Sequence, residues 1–132
     1  MLQWAGMSEE LRRTPLYDAH VAASARMVPF AGWEMPVQYS GVVAEVKATR
    51  EGVGLFDVSH MGRAYVVGAD AAAFFDHVTV NDVSKLGDSQ GQYSLLCNEA
   101  GGIIDDIIVY RITATEFLVI FNAGNRDKDL AW

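Results

Sequence analysis

The stretch Gln92-Tyr93-Ser94-Leu95-Leu96-Cys97, Asn98-Glu99-Ala100-Gly101-Gly102, Ile103-Ile104-Asp105-Asp106-Ile107-Ile108-Val109-Tyr110 decides the fold. Two apolar, β-branched runs flank a short loop that contains glycine, which is the pattern of an antiparallel hairpin. The second strand is expected over Ile103 to Ile112. A turn near Ala114-Thr115 then leads to a third apolar run, Phe117 to Phe121, so the three strands form an antiparallel meander. With the loop centred near Ala100, Tyr93 and Ser94 are expected roughly opposite Asp105 and Asp106.

Working outward, the upstream chain alternates short helices and strands. Thr14-Pro15 offers a capping hydroxyl and a proline at the first helical position, predicting a helix over roughly Leu16 to Ala23. Met27 to Phe30 is a short strand, followed by the aromatic loop Phe30-Ala31-Gly32-Trp33-Glu34-Met35-Pro36. Ser40 is expected to cap a helix from Val42 to Glu51 that buries Val42, Val43 and Val46 and stops at Gly52. Gly54 to Ser59 and Arg63 to Val67 are strand candidates. Gly68 and Asp70 open a helix through about His77, with Phe74, Phe75 and Val78 on its apolar face. Downstream, Asn122 to Asn125 leads into Arg126-Asp127-Lys128-Asp129-Leu130-Ala131-Trp132, a helical start with no stop signal. The fold class that follows is α+β: an antiparallel meander sheet with short flanking helices. The domain is expected over residues 14–132, with 1–13 a flexible N-terminal extension whose first six residues lie outside the fold.

Bulk composition narrows the function classes. Of 132 residues, 51% are hydrophobic and only three are proline, enough apolar material for one core and too little bias for disorder. The formal net charge of −7 argues against nucleic acid, because phosphate recognition needs clustered Lys and Arg. It fits a solvated surface. The single cysteine, Cys97, has no partner for an internal disulfide and reads as a small hydrophobe in a reducing compartment. No run approaches the ~18 apolar residues of a membrane helix, and no apolar signal segment opens the chain. Spaced His/Cys metal clusters, phosphate loops and dinucleotide fingerprints are absent from the sequence, so no metal is expected.

The candidate chemistry lies in Asp105-Asp106. Alternation along the strand puts Ile103, Asp105, Ile107 and Val109 on one face and Ile104, Asp106, Ile108 and Tyr110 on the other. Both faces are apolar, so the strand is expected to be covered on both sides, with one carboxylate on each. A buried carboxylate must be paired, hydrogen-bonded or set at a cavity wall. The competing reading puts both acids at a wet strand end, and the residues alone do not separate the two. Tyr93, an aromatic platform beside an acid, suits a flat heterocycle with N–H donors, although ordinary sheet packing is the commoner use of such a residue. Phe56-Asp57-Val58-Ser59-His60-Met61-Gly62 holds Asp, Ser and His too close together to converge as a triad. Ser59-His60 reads as a turn near a cavity, with Met61 its soft wall. His20, His60 and His77 are far apart and read as ordinary surface or core histidines.

Several of these motifs occur together in one family. Thr14-Pro15-Leu16-Tyr17, Phe30-Ala31-Gly32-Trp33-Glu34-Met35-Pro36, Leu55-Phe56-Asp57-Val58-Ser59-His60-Met61, Asn81-Asp82-Val83, Gly101-Gly102-Ile103-Ile104-Asp105-Asp106 and Phe121-Asn122-Ala123 with Lys128-Asp129-Leu130 resemble, in order and spacing, the aminomethyltransferases, the T-proteins of the glycine cleavage system. The resemblance implies the N-terminal part of that folate-binding fold. It implies transfer of the methylene of a lipoyl-bound aminomethyl group to tetrahydrofolate, with release of ammonia and with the lipoyl-carrying H-protein as partner. The family's key acid is matched to Asp105 as the catalytic residue; Met61, Tyr93, Asp105 and Asn122 match positions near the folate. The setting implied is the cytoplasm in bacteria or the mitochondrial matrix in a eukaryote. Family members are two to three times longer, so this chain is expected to hold part of a site, to be inactive alone and to self-associate through surface that later domains would cover. A non-catalytic folate-binding relative, a folate-dependent demethylase and a module that only docks the carrier protein are the alternatives; the intact Gly-Gly-Ile-Ile-Asp-Asp run favours the enzyme.

Overall fold

A computed structural model describes residues 10–132. The chain forms two compact units, residues 1–60 and 61–132, and the fold is α+β. Residues 1–9 of the expected extension lie outside the described residues.

In the first unit, β1 (Arg12–Arg13) pairs parallel with β3 (Trp33–Gln38), which pairs antiparallel with β2 (Arg26–Phe30). Residues 30–36, expected as a loop, thus become the hairpin turn and most of β3. Gly32, with φ +80°, follows Ala31 at φ 49°, and this left-handed pair reverses the chain tightly enough for Phe30 to pair with Trp33. Helix α1 (Tyr17–Ala22) forms as expected, although its N-cap is Leu16 and no side chain caps it.

Helix α2 (Val42–Glu51) has the expected span but a different cap and a different exposed face. Its N-cap is Gly41, and the Ser40 side chain makes no cap bond to the helix N–H groups. Instead Glu45 Oε1 accepts the backbone N–H groups of Tyr39, Ser40 and Gly41 at 2.7, 2.7 and 2.8 Å. Hydrogen bonds from Gly41 and Tyr39 hold the Glu45 carboxyl below its usual range. Val42, Val43 and Val46 are exposed, Val43 to 84%, rather than buried. The apolar i, i+4 spacing marked a helix correctly, but α2 lies beside β3 without burying any of its residues. Gly54 to Ser59 is not a strand. It runs as irregular backbone into a turn at Ser59-His60, where Asp57 Oδ1 accepts the Ser59 N–H at 2.9 Å, offering the backbone a local bond in place of a ladder.

The second unit holds the meander. Strands β4 (Gly62–Val67), β5 (Gly91–Cys97), β6 (Ile103–Thr113) and β7 (Glu116–Phe121) form one antiparallel sheet in the order β4-β7-β6-β5. One face carries the core: Leu96, Ile107, Val109, Phe117, Val119 and Phe121 pack under Ala71 and Phe75 of α3 (Ala71–Val78), with Val83 and Leu86 from the following 3₁₀ turn. Phe74, expected on the apolar face of α3, is half exposed, while Phe75 is buried against Phe117. Helix α4 (Arg126–Ala131) follows β7. The β5–β6 loop closes through Asn98, whose Oδ1 accepts the N–H groups of Ala100 and Gly102, with Gly101 at φ 79°.

Two strand expectations change. The β5–β6 pairing sets Leu95 opposite Asp106 and Leu96 opposite Asp105, with Tyr93 facing Ile108 and Ser94 facing Ile107. A bulge between Leu96 and Cys97 leaves Ile104 unpaired and shifts the register by one residue, beyond the Tyr93–Ile107 pairing that counting outward from Ala100 gives. Moreover, β6 is buried on one face only. Asp105, Ile107 and Val109 are buried, whereas Asp106 and Ile108 are half-buried and Tyr110 is exposed.

Candidate functional site

The end of the second unit's sheet gathers most of the residues singled out from sequence. Gly62 pairs with Phe121, and Phe121 pairs with Ile107. The next residues along those strands are therefore Met61, Asn122 and Asp106, side by side where the ladder stops. Asn122 is the connecting group. Its Nδ2 lies 3.2 Å from Asp105 Oδ1, 2.9 Å from Asp106 Oδ1 and 3.1 Å from the Asp106 carbonyl, so a single amide bridges both carboxylates.

The two acids face opposite ways. Asp105 points to the core side and is 6% exposed. Its Oδ1 accepts from Asn122 and from Asn125 Nδ2 at 2.7 Å, and its Oδ2 has no donor. Burial works to raise its pKa, but the Asp129 carboxyl beside it and hydrogen bonds from Asn125, Asn122 and the Asp106 N–H outweigh it and hold the carboxyl below its usual range. Asp106 lies on the outward face, on the side of the sheet that Tyr93 occupies. The Tyr93 hydroxyl is raised above its ordinary pKa, by desolvation first and then by the Asp106 carboxylate. Asn81 fixes the backbone there, donating from Nδ2 to the Tyr93 carbonyl at 2.6 Å and from its N–H to Ser94 Oγ at 3.2 Å. The outward face is thus a largely apolar and aromatic surface of Tyr65, Val67, Tyr93, Ile108 and Tyr110, with Asp106 and Arg63 toward one end and Glu116 at the other.

The structure therefore brings Met61, Asp105 and Asn122 together and places Tyr93 on the opposite face from Asp105. Sequence reasoning passed over Asp106 as the acid open to that face, and it passed over Asn125 and Asp129. The period-2 alternation already separated Asp105 from Asp106; which face was open depended on where α3 and α4 would sit. Behind the sheet, Asp129 of α4 is 5% exposed and lines an apolar cavity of about 280 Å³ with Val78, Leu96, Val119 and Trp132. Lys128 Nζ donates to the Ile104 carbonyl at 2.7 Å, tying α4 to the bulge.

A second polar network lies within the first unit. His20 Nε2 is 2.9 Å from Asp57 Oδ2, and His20 Nδ1 is 2.8 Å from the Tyr39 hydroxyl. Burial works against the Asp57 charge, yet hydrogen bonds from His20 and the Ser59 N–H hold its carboxyl far below the usual range. His20 is thus a buried histidine with both ring nitrogens partnered, joining segments far apart in sequence. No group of three or more His, Cys, Asp or Glu with metal-ligand geometry occurs among the described residues. No helix among them is long and apolar enough to cross a membrane.

Comparison with known proteins agrees with this architecture. The aminomethyltransferase of Desulfitobacterium hafniense is 54% identical over 123 residues, covering 93% of this chain. That of Deinococcus deserti is 56% identical over 121 residues, covering 92%. The crystal structure of glycine cleavage system aminomethyltransferase T from Bartonella henselae superposes with a TM-score of 0.88 at 41% identity over 92% of this chain. In each case the chain spans about a third (34%) of the relative's length. Residues 16–132 match the family described as the GCVT N-terminal domain, and the chain belongs to that family.

Proposed function

We propose that this chain supplies the N-terminal domain of an aminomethyltransferase of the glycine cleavage system, which moves the methylene of a lipoyl-bound aminomethyl group to tetrahydrofolate and releases ammonia. The observation that carries the reading is the Asn122 amide joining Asp105 to Asp106 at the end of an open aromatic face. A pterin is flat and rich in N–H donors. Tyr93 offers it a stacking surface, Asp106 an anionic acceptor, Asn122 a fixed polar contact and Met61 an adaptable apolar wall. An anion held in place there orients the nitrogen donors and stabilises positive charge as it develops on nitrogen during transfer. Asp105, buried and saturated on Oδ1, acts behind Asp106, so the acid matched to the family's catalytic residue works through its neighbour.

The partners proposed are tetrahydrofolate as co-substrate and the lipoyl-carrying H-protein, in the cytoplasm or the mitochondrial matrix, with no metal taking part. A face of this kind is one wall: burying ~70–90% of a ligand of folate's size takes a cavity. The test is a transfer assay on the polypeptide that contains this chain, supplied with aminomethyl-loaded carrier protein and tetrahydrofolate. Release of ammonia that requires both reactants is the expected result. Ammonia release without tetrahydrofolate, or folate-dependent turnover of a free N-methylated amine instead, would overturn the assignment.

A further inference from the structure

Behind the folate-facing surface, two carboxyl groups meet with no donor between them. Asp105 Oδ2, Asp129 Oδ1 and Asp129 Oδ2 are all buried, and none has a hydrogen-bond partner among the described residues. Asn125 joins the two acids: its Nδ2 donates to Asp105 Oδ1 at 2.7 Å, and its carbonyl accepts the Asp129 backbone N–H at 2.9 Å. The cavity beside Asp129 is lined by Phe75, Val78, Leu96, Val119 and Phe121, which offer neither carboxyl a donor. Two ionised carboxylates cannot share such a place, and a proton held between them is the donor that the geometry lacks.

We propose that Asp105 and Asp129 hold one proton between them, kept on Asp129, and that Asp129 is thereby a positioning residue for the ligand-facing Asp106. The proposal rests on the reading of the Asp106 face as the tetrahydrofolate site. The chain of contacts is short. The protonated Asp129 carboxyl donates to Asp105 Oδ2. Asp105 Oδ1 then holds Asn125, the residue that opens α4, and Asn122, whose amide fixes the Asp106 carboxylate. α4 is thus clasped to β6 by a proton at one point and by Lys128 on the Ile104 carbonyl at another. The charged and titratable groups around the clasp are Asp105 and Asp106 from β6, Lys128 on α4 itself and Tyr93 from β5, whose hydroxyl feels both acids. Three of these groups are acidic, and the one cation, Lys128, is occupied by a carbonyl. Burial first, and then the Asp105 hydrogen bond and charge, push the Asp129 carboxyl up to about 7, in accord with the geometry.

The coupling is of a particular kind. Above the pH at which the shared proton leaves, two buried anions face each other and the clasp opens, which frees Asn122 and lets the Asp106 carboxylate swing. Asp129→Asn replaces the proton by a permanent N–H donor of nearly the same shape. It therefore keeps the clasp closed at every pH, whereas Asp129→Ala removes the donor altogether.

The experiment has two arms, the first on this chain and the second on the full polypeptide that contains it. In the first, carboxyl carbons are followed by ¹³C NMR through a pH titration without ligand. One carboxyl is expected to titrate near pH 7, with Asp105 and Asp129 both reporting the step, and the step vanishes in Asp129→Asn. In the second, tetrahydrofolate affinity is followed across the same range. Wild type weakens severalfold as pH rises through the step, Asp129→Asn binds without the step, and Asp129→Ala is weak throughout. Absence of any carboxyl titrating near neutrality overturns the dyad, whatever the ligand does. A dyad that titrates as expected while the full polypeptide shows no affinity for tetrahydrofolate leaves the shared proton standing and overturns the folate reading on which its positioning role depends. Equal, pH-independent affinity in all three proteins overturns the positioning role alone.

Discussion

At the scale of single residues, the site is a division of labour between neighbouring acids. Asp106 stands on the open face and Asp105 behind it, joined through one asparagine. Asp106→Asn keeps the shape and removes the charge, so tetrahydrofolate affinity should fall ten- to a hundredfold, as expected for a hydrogen bond to a charged group worth about 1.5–3 kcal/mol. Calorimetry at fixed pH measures it. An affinity within twofold of wild type would return the ligand-facing role to Asp105. Asn122→Ala strips donors from two carboxylates at once, one of them buried, and should cost roughly 1–3 kcal/mol of stability in urea unfolding. A variant as stable as wild type would mean that water replaces the amide without loss. Motif spacing singled out Asp105, Met61 and Asn122, which the structure sets at one end of the second unit's sheet. The sequence could not rank Asp105 against Asp106, because alternation says which residues part company and not which face stays open.

Helix α4 and its docking onto β6 set the pH behaviour at the scale of elements. Asp129 has a folded-state pKa of about 7, well above its ordinary value, so the folded chain keeps a proton that the unfolded chain has already released. Stability from this group is fully present below the ordinary carboxylate range and is lost as pH rises toward 7. Asp105 has the opposite sign: its pKa lies below the usual range, so its contribution is lost only on strong acidification. Urea midpoints should therefore decline between about pH 4 and 7 in wild type and decline less in Asp129→Asn; parallel curves for the two proteins would count against a buried, protonated Asp129. Under α3, Phe75→Ala should cost about 3–5 kcal/mol, because the ring is enclosed by the sheet and packed at a tilt against Phe117. Differential scanning calorimetry reads that loss directly, and a shift below 1 kcal/mol would show the ring to be peripheral. The three meander strands and α2 were legible because period-2 and period-3.6 patterns are local. The β5–β6 register was not, since a bulge at Leu96 and Cys97 moves every partner beyond it. Nor was the exposure of Val43, since apolar spacing fixes a helix's stripe and not what meets it.

For the whole molecule, the notable feature is how much apolar surface faces outward on a chain that spans about a third of its relatives' length. Tyr65, Val67 and Tyr93 are all more than half exposed on one side of the second unit's sheet. Exposed apolar patches beyond a few hundred Å² tend to recruit partners, so the mass of the isolated chain in light scattering should rise with concentration, and Val67→Lys should suppress the rise. A strictly monomeric wild type would contradict that. The same face is where tetrahydrofolate should bind, and the most direct test is an amide-resolved NMR titration of the ¹⁵N-labelled chain with tetrahydrofolate, alongside Asp106→Asn. The expected result is saturable shifts concentrated at Met61, Tyr93, Asp105, Asp106 and Asn122, sharply reduced in the variant. Shifts that gather elsewhere, or that are the same size in Asp106→Asn, would contradict the assignment of this face as the folate-binding wall.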